Sequence, residues 1–288
     1  MSFTKYKAFI RVVELGSITK AAVELGYSQP GVSRMLDSLE DELGIKLLVR
    51  NNTSVEATEE GKLVLKHCRE IVSHENDLFD LTNSIKGLIC GKVRIGSLNS
   101  MLVNFTPQIV SAYSLAYPNI SLFLNEMPFS DITKELTNNG IDIGFTSEFK
   151  VKGLEFHPLF EDPVCLIINE KHPFASYDKI PISILNGCDF IMPEDGWDDL
   201  IKMVSKKKPF APSVKYTVRG DTGAVSMVSE NLGVYIISKM QTSLLPSNIV
   251  VREFEEKVCR TMGFGVRSLK NASPAVKELI KITRTFVD

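Results

Sequence analysis

Ser28, Gln29, Pro30, Ser33 and Arg34 fall within seven consecutive residues that open a run of helical periodicity. Their types suit the edges of base pairs. Gln29 matches adenine bidentately, Arg34 matches guanine or a phosphate, Ser33 reaches an edge or a phosphate, and Pro30 offers apolar contact to a thymine methyl. Ser17 and Thr19, at the start of the preceding helix, offer hydroxyls and free backbone amides to one phosphate. Arg50 offers its charge to a second. Taken singly, Ser17 and Ser28 are ordinary helix caps; the combination is what points to DNA.

A second set of polar residues follows short apolar runs farther along the chain. Ser97, Asn99, Ser100 and Met101 come after KVRIG, and Thr146 and Ser147 after IDIGF. Pro193 and Glu194 close an apolar run, and Thr222 and Gly223 open a helix. With Phe129 these form the candidate site for a small polar ligand, because ligands of open α/β sheets bind beyond the carboxyl ends of the strands. No Lys or Arg stands in these turns and Glu194 adds an acid, so side-chain charge alone does not select a carboxylate.

Other chemistry is not supported. His67, His74, His157 and His172 show no metal-ligand spacing, and no H-E-x-x-H, G-x-S-x-G or G-x-x-x-x-G-K pattern occurs, so neither an enzyme nor a bound cofactor or metal is expected. The five cysteines, Cys68, Cys90, Cys165, Cys188 and Cys259, are odd in number and include no C-x-x-C pair. That favours buried thiols in a reducing compartment, with Cys188 beside Asp189 as the candidate redox sensor. Lys5, Lys7, Arg11 and Glu14 interrupt the N-terminal apolar residues, and no run approaches the roughly 20 apolar residues of a membrane span. A cytoplasmic protein with no membrane partner is expected.

Thirty-three Lys and Arg against 35 Asp and Glu give a net charge of -2, so any nucleic-acid footprint must be local. Residues 1–60 hold seven Lys or Arg and nine Asp or Glu, which runs against the basic stripe usual for such domains. The acids gather at Asp37 to Glu42, away from Gln29 and Ser33, so the binding edge is still expected to be positive. Affinity from one copy should be weak, with avidity in an oligomer supplying the rest.

The elements that must hold these residues follow from periodicity. Residues 1–58 read as three short helices, broken at Gly16 and Gly26, followed by a two-stranded wing from Lys46 to Thr58. A proline-free helix follows over 59–88, with Val64, Cys68, Ile71, Leu78 and Ile85 near heptad spacing. Flanked by two domains, it is expected to bury that stripe against another chain or a neighbouring domain. After Gly91, strands and helices alternate, which predicts a mostly parallel α/β unit. A second sheet is predicted from 189–254, with chain crossings near 160–165 and 259–266. The 288 residues thus divide into several folded units.

The stretch GSITKAAVELGYSQPGVSRMLDSLEDELGIKLLVR, followed by T-E-E-G, resembles the N-terminal winged helix of LysR-type transcriptional regulators. YPNISLFLNE, IDIGF, LFEDPVCLIINEKHPFA and ENLGVYIISK are similar to that family's effector-binding region, so the resemblance covers essentially the whole chain. Leu48, where a Phe is usual, and Ala57, where a Leu is common, depart from the pattern. The resemblance implies an α+β multidomain fold: a winged helix-turn-helix over 1–58, a linker and dimerisation helix over 59–88, and an effector-binding domain over 89–288. That domain would comprise two α/β subdomains of the type 2 periplasmic-binding-protein-like fold, lobe I from 91–161 and 266–288 and lobe II from 162–265. Implied partners are an operator in double-stranded DNA, a second copy in a homodimer or homotetramer, RNA polymerase, and a small polar or carboxylate effector. The alternatives are a regulator that senses redox state through a cysteine and a solute-binding protein.

Overall fold

A computed structural model describes residues 3–50, 54–85, 91–194 and 198–287; the side chains of Arg50 and Ile85 lie outside the described set, as does Cys90. The chain divides into two compact units, one built on residues 1–89 and the other on residues 90–137 and 141–288.

In the first unit, α1 (Phe3–Leu15), α2 (Ile18–Leu25) and α3 (Gln29–Leu43) enclose Phe9, Val12, Ala21, Val32, Leu36 and Leu39. Gly26 ends α2 with φ +72°, a left-handed turn that a side chain disfavours and that lets α3 start at once. The wing pairs β1 (Leu48–Arg50) antiparallel with β2 (Val55–Ala57). Thr58 then caps α4 (Glu59–Ile85): its hydroxyl accepts from the Gly61 amide at 2.8 Å and donates to the Lys46 carbonyl at 2.8 Å. A Cβ on Gly61 would lie 2.1 Å from the Leu47 carbonyl oxygen, so glycine is what allows α4 to meet the wing.

The stripe on α4 is not one seam. Val64, Leu65, Cys68 and Val72 pack into the core shared with α1, whereas Ile71 and Leu78 are exposed. The heptad spacing had joined two faces with different neighbours: one side of the first turns completes the winged-helix core, and only the later residues face outward.

The second unit opens with β3 (Gly91–Ser97), α5 (Asn99–Asn104), α6 (Thr106–Ala116), β4 (Ile120–Glu126), α7 (Phe129–Thr137) and β5 (Ile143–Ser147). β3 lies between β4 and β5 and is parallel to both. The apolar spacing of Leu102 to Ala116 predicts a single helix. It is broken at Phe105, because Pro107 in the first turn of α6 cannot continue a helix from α5.

Next come β6 (Glu155–Asn169), β7 (Lys179–Ile180), β8 (Asp189–Pro193), α8 (Asp199–Lys207), β9 (Ser213–Val218) and α9 (Asp221–Ser229). The chain ends with β10 (Tyr235–Ser238), β11 (Ile249–Phe254), β12 (Cys259–Val266) and α10 (Pro274–Arg284). β6 and β12 run antiparallel from Glu155 opposite Val266 to Pro163 opposite Cys259. β6 then continues to pair with β10 and β11.

Two separate sheets were expected. Instead the order β4-β3-β5-β12-β6-β11-β7 is one continuous path, because the fifteen residues of β6 serve both lobes. β8 and β9 form a separate parallel pair in lobe II. Lobe I has its own core around Ile95, Ile109, Phe145 and Leu279, and lobe II its own around Leu166, Phe190, Val204 and Ile236.

Candidate functional site

The residues whose types suit DNA lie mostly in the first turns of α2 and α3. Ser17 caps α2, accepting from the Lys20 amide at 3.3 Å, and Ser28 caps α3, accepting from the Gly31 amide at 3.2 Å. Each hydroxyl keeps its own proton to donate. Thr19, Gln29, Pro30 and Arg34 are exposed and Ser33 is half-buried. The Arg34 Nε reaches the Pro30 carbonyl at 3.4 Å, which holds the guanidinium along the helix start. Arg50 lies on β1, with its side chain outside the described residues.

Ion pairing explains how an acidic unit can present a positive edge. Lys5 bonds Glu42, Lys7 bonds Glu75 at 2.8 Å, Arg11 bonds Glu14 at 2.8 Å as well as Glu24, and Lys46 bonds Glu40 at 2.6 Å. Lys20 and Arg34 carry no carboxylate partner among the described residues. The acids gathered at Asp37 to Glu42 are also partly structural. Glu40 is buried and accepts from the Leu47 and Leu48 amides at 2.8 and 3.2 Å, so it anchors the wing to α3. Burial alone would push its carboxyl up, but Lys46 and the two amides outweigh that and hold it below the ordinary carboxylate range.

In the second unit a cavity of about 50 Å³ lies between the lobes. Of the residues singled out from sequence, Asn99, Ser100, Phe129 and Pro193 line it. Ser97 is wholly buried with its hydroxyl on the Leu98 carbonyl at 3.0 Å, and Met101 is wholly buried in the lobe I core. Thr146 and Ser147 are buried and outside the lining; the Thr146 hydroxyl has no partner among the described residues. Glu194 is exposed 3.8 Å from Arg219, and Gly223 packs against Val218. Thr222 lines a separate pocket of about 360 Å³ that shares Asn99, Asp221 and Gln241. The expectation that strand ends alone would assemble the site is thus corrected. α5 has only six residues, too short for a strong dipole, and several strand-end hydroxyls turn inward.

The charge in the cavity comes from the strands that join the lobes. Arg260, only 5% exposed, sits opposite Asp162 in the β12–β6 pairing. Its Nε donates to the Asp162 Oδ2 at 3.1 Å, and its Nη2 donates to the Ser100 hydroxyl at 2.7 Å. Asp162 also accepts from the Ser238 hydroxyl and from the Met240 amide at 3.2 Å. Asp221 accepts from the Tyr235 hydroxyl at 2.7 Å and from Gln241 Nε2 at 2.5 Å, and the same amide nitrogen lies 2.9 Å from Asn99 Oδ1. Burial, reinforced by Asp221, pushes the Tyr235 hydroxyl well up, so it stays a donor. Burial likewise raises Asp199, which lines the cavity at the start of α8.

None of Asp162, Asp199, Asp221, Tyr235, Gln241 or Arg260 was singled out from sequence. The signal available was CRTMGFGV: an arginine in an otherwise apolar strand must be buried with a partner.

Residues 3–62 match the family profile described as "Bacterial regulatory helix-turn-helix protein, lysR family", and residues 86–287 match "LysR substrate binding domain". The chain belongs to the LysR family. This LysR-type protein is 29% identical over 287 residues to YvbU of Bacillus subtilis (strain 168), described as an uncharacterized HTH-type transcriptional regulator, covering 99% of this chain and 98% of that one. Its fold is shared with a full-length OxyR variant from Pseudomonas aeruginosa (TM-score 0.77, 20% identity, 100% of this chain and 94% of that one). It is also shared with full-length CbnR complexed with its target DNA (TM-score 0.69, 20% identity, 99% of each chain). The chain is a LysR-type transcriptional regulator with a winged helix-turn-helix and an effector-binding domain.

For the cysteines of this regulator, burial pushes Cys68, Cys165 and Cys188 up to about 11, with Asp189 adding to the effect at Cys188. Such thiols stay protonated near neutral pH and are poor nucleophiles. Among the described residues no group of three His, Cys, Asp or Glu is arranged to hold a metal ion, and no helix is long and apolar enough to cross a membrane.

Proposed function

We propose that this LysR-type regulator grips an operator in double-stranded DNA with Ser17, Thr19, Gln29, Pro30, Ser33 and Arg34, with Arg50 of the wing on a flanking phosphate. It acts in the cytoplasm as a homodimer or homotetramer, binding rather than catalysing, and passes its state to RNA polymerase. A small polar effector occupies the cavity between the lobes. The observation that carries this is the convergence of Ser100 from lobe I, Asp199 from lobe II and Arg260 from the joining strands on one cavity.

At about 50 Å³ the cavity holds only a few water-sized spheres. A metabolite therefore fits only as the lobes part, and a ligand that favours one lobe separation shifts the population toward it. Exposed Ile71 and Leu78 on α4 suit a second copy of the chain, so Ile71→Asp should lower the mass seen by light scattering; an unchanged oligomer would move the interface elsewhere.

The test of the effector site is calorimetric titration of wild type and Ser100→Ala with whichever metabolite stabilises the protein, alongside gel shifts on upstream DNA. Loss of one hydroxyl should cost roughly 0.5–1.5 kcal/mol of effector affinity and leave effector-free DNA binding intact. Equal affinity in the two proteins would remove Ser100 from the site.

A further inference from the structure

We propose that the cavity between the lobes selects a ligand bearing a protonated nitrogen beside an anionic oxygen group, the chemistry of an amino acid, over a plain carboxylate. This rests on the assignment of that cavity as the effector site and names the ligand class it takes.

The oxygen end is built by Arg260 and Ser100, both buried. The Nε and Nη2 of Arg260 are committed to Asp162 and Ser100, while Nη1 has no partner among the described residues, and Arg260 lines the cavity. That leaves a donor, but not a net positive charge, because Asp162 already neutralises the guanidinium at 3.0 Å. An anion entering alone would find hydrogen bonds and no surplus cation.

The other walls make that balance negative. Asp199 and Asp221 both line the cavity and Asp162 is paired with Arg260, so among the described residues three carboxylates stand against the single Arg260. Asp221 is held by neutral donors, Tyr235 and Gln241. The Asp199 carboxyl has no side-chain donor among the described residues, and Lys202, one turn on, is tied to Asp198 at 2.7 Å. Burial raises the Asp199 carboxyl above its usual range, Asp198 adds to that, and Arg260 and Lys202 offset it only in part. A half-buried carboxylate without a cation is costly, and a ligand ammonium is the group that removes the cost. A ligand with both charges satisfies Arg260 and Asp199 together; a plain carboxylate would satisfy the first and be repelled by the second and by Asp221.

The full chain is screened by thermal shift with the common α-amino acids, β-alanine and 4-aminobutyrate. Each hit is then titrated calorimetrically beside its deaminated acid and its decarboxylated amine. At least one zwitterion should bind, with acid and amine each about ten- to a hundredfold weaker, the range set by losing one charged hydrogen bond. Asp199→Asn and Asp221→Asn should bring the zwitterion's affinity toward that of the deaminated acid. The wild-type comparison of the three ligands stands even if a variant folds poorly. No binding by any zwitterion overturns the proposal. So does a deaminated acid that binds as tightly; if that acid is weakened by Ser100→Ala, the effector site survives and only the ligand class fails. Zwitterion binding indifferent to Asp199, Asp221 and Ser100 alike would overturn the assignment of the cavity itself.

Discussion

In the winged-helix unit, Lys20 and Arg34 stand in the early turns of two helices with no carboxylate against them among the described residues, whereas in the effector unit Arg260 is buried and bonded to Asp162 and Ser100. Exposed cations cost the fold little and act by releasing counterions from a polyanion, so they need only be placed on the right edge. A buried guanidinium must be paired as the chain folds, and whatever directional bonding it has left is fixed before a ligand arrives. One unit leaves these cations free and the other locks its buried cation in place. Changes at the two sites should therefore differ in kind: the first should move affinity without stability, and the second should move both.

The largest effect belongs to the locked pair. Arg260→Met leaves Asp162, 1% exposed, with the Ser238 hydroxyl and the Met240 amide but no cation, and should destabilise the effector unit by about 3–5 kcal/mol. Urea denaturation should show the loss, and the double variant Asp162→Leu/Arg260→Met should recover much of it. A single variant as stable as wild type would mean that the charge is not held by the pair.

Glu40 shows that the winged helix has one locked charge of its own. Glu40→Ala strips the Leu47 and Leu48 amides of their acceptor and should cost about 1–3 kcal/mol, read as a lower denaturation midpoint of the first unit. Because the folded carboxyl lies below its unfolded value, its contribution is present above the unfolded pKa and is lost as pH falls through the lowered one. Wild type and variant should therefore converge in acid. A gap that persists there would reassign the effect to packing.

What sequence reveals follows the same division. The caps at Ser17 and Ser28 and the exposure of Gln29 and Arg34 were legible because capping and exposure are local to one turn of chain. The alternation of strands and helices in lobe I was legible for the same reason. Arg260 was not, since its meaning depends on Asp162 and on Ser100, 160 residues away. The continuous sheet was missed because β6 reads as one extended run whether it serves one lobe or two. Ser97 and Met101 misled because period-two and helical patterns show which residues alternate and not which side the cavity takes.

At the free charges, Arg34→Ala should weaken operator binding by about 1–3 kcal/mol with unchanged thermal stability, and Lys20→Ala should lower the salt slope by about one if Lys20 contacts phosphate. Gel shifts across a salt series check both. A fall in stability with either variant would break the contrast, since these side chains have no carboxylate to lose among the described residues.

The smallest change has the opposite sign. Burial raises the folded carboxyl of Asp199 above its unfolded value, so its contribution is fully present below the unfolded pKa, where it is neutral in both states. That contribution is lost as pH rises through the folded pKa, and at neutral pH the charged side chain works against the fold. Asp199→Asn removes the charge and should raise Tm by about 1–4 °C near neutral pH, the shift expected for roughly 1 kcal/mol or less in a domain of this size. The advantage should vanish in acid, where both side chains are neutral. Stability gained at the expense of affinity is the mark of a group kept for binding. Differential scanning of both proteins from about pH 4 to 8 decides the matter, because the sign of the group's linkage fixes the direction of the trend. If Asp199→Asn is less stable at every pH, the carboxyl holds the start of α8 for the fold's own sake, and the locked site carries no charge set aside for a ligand.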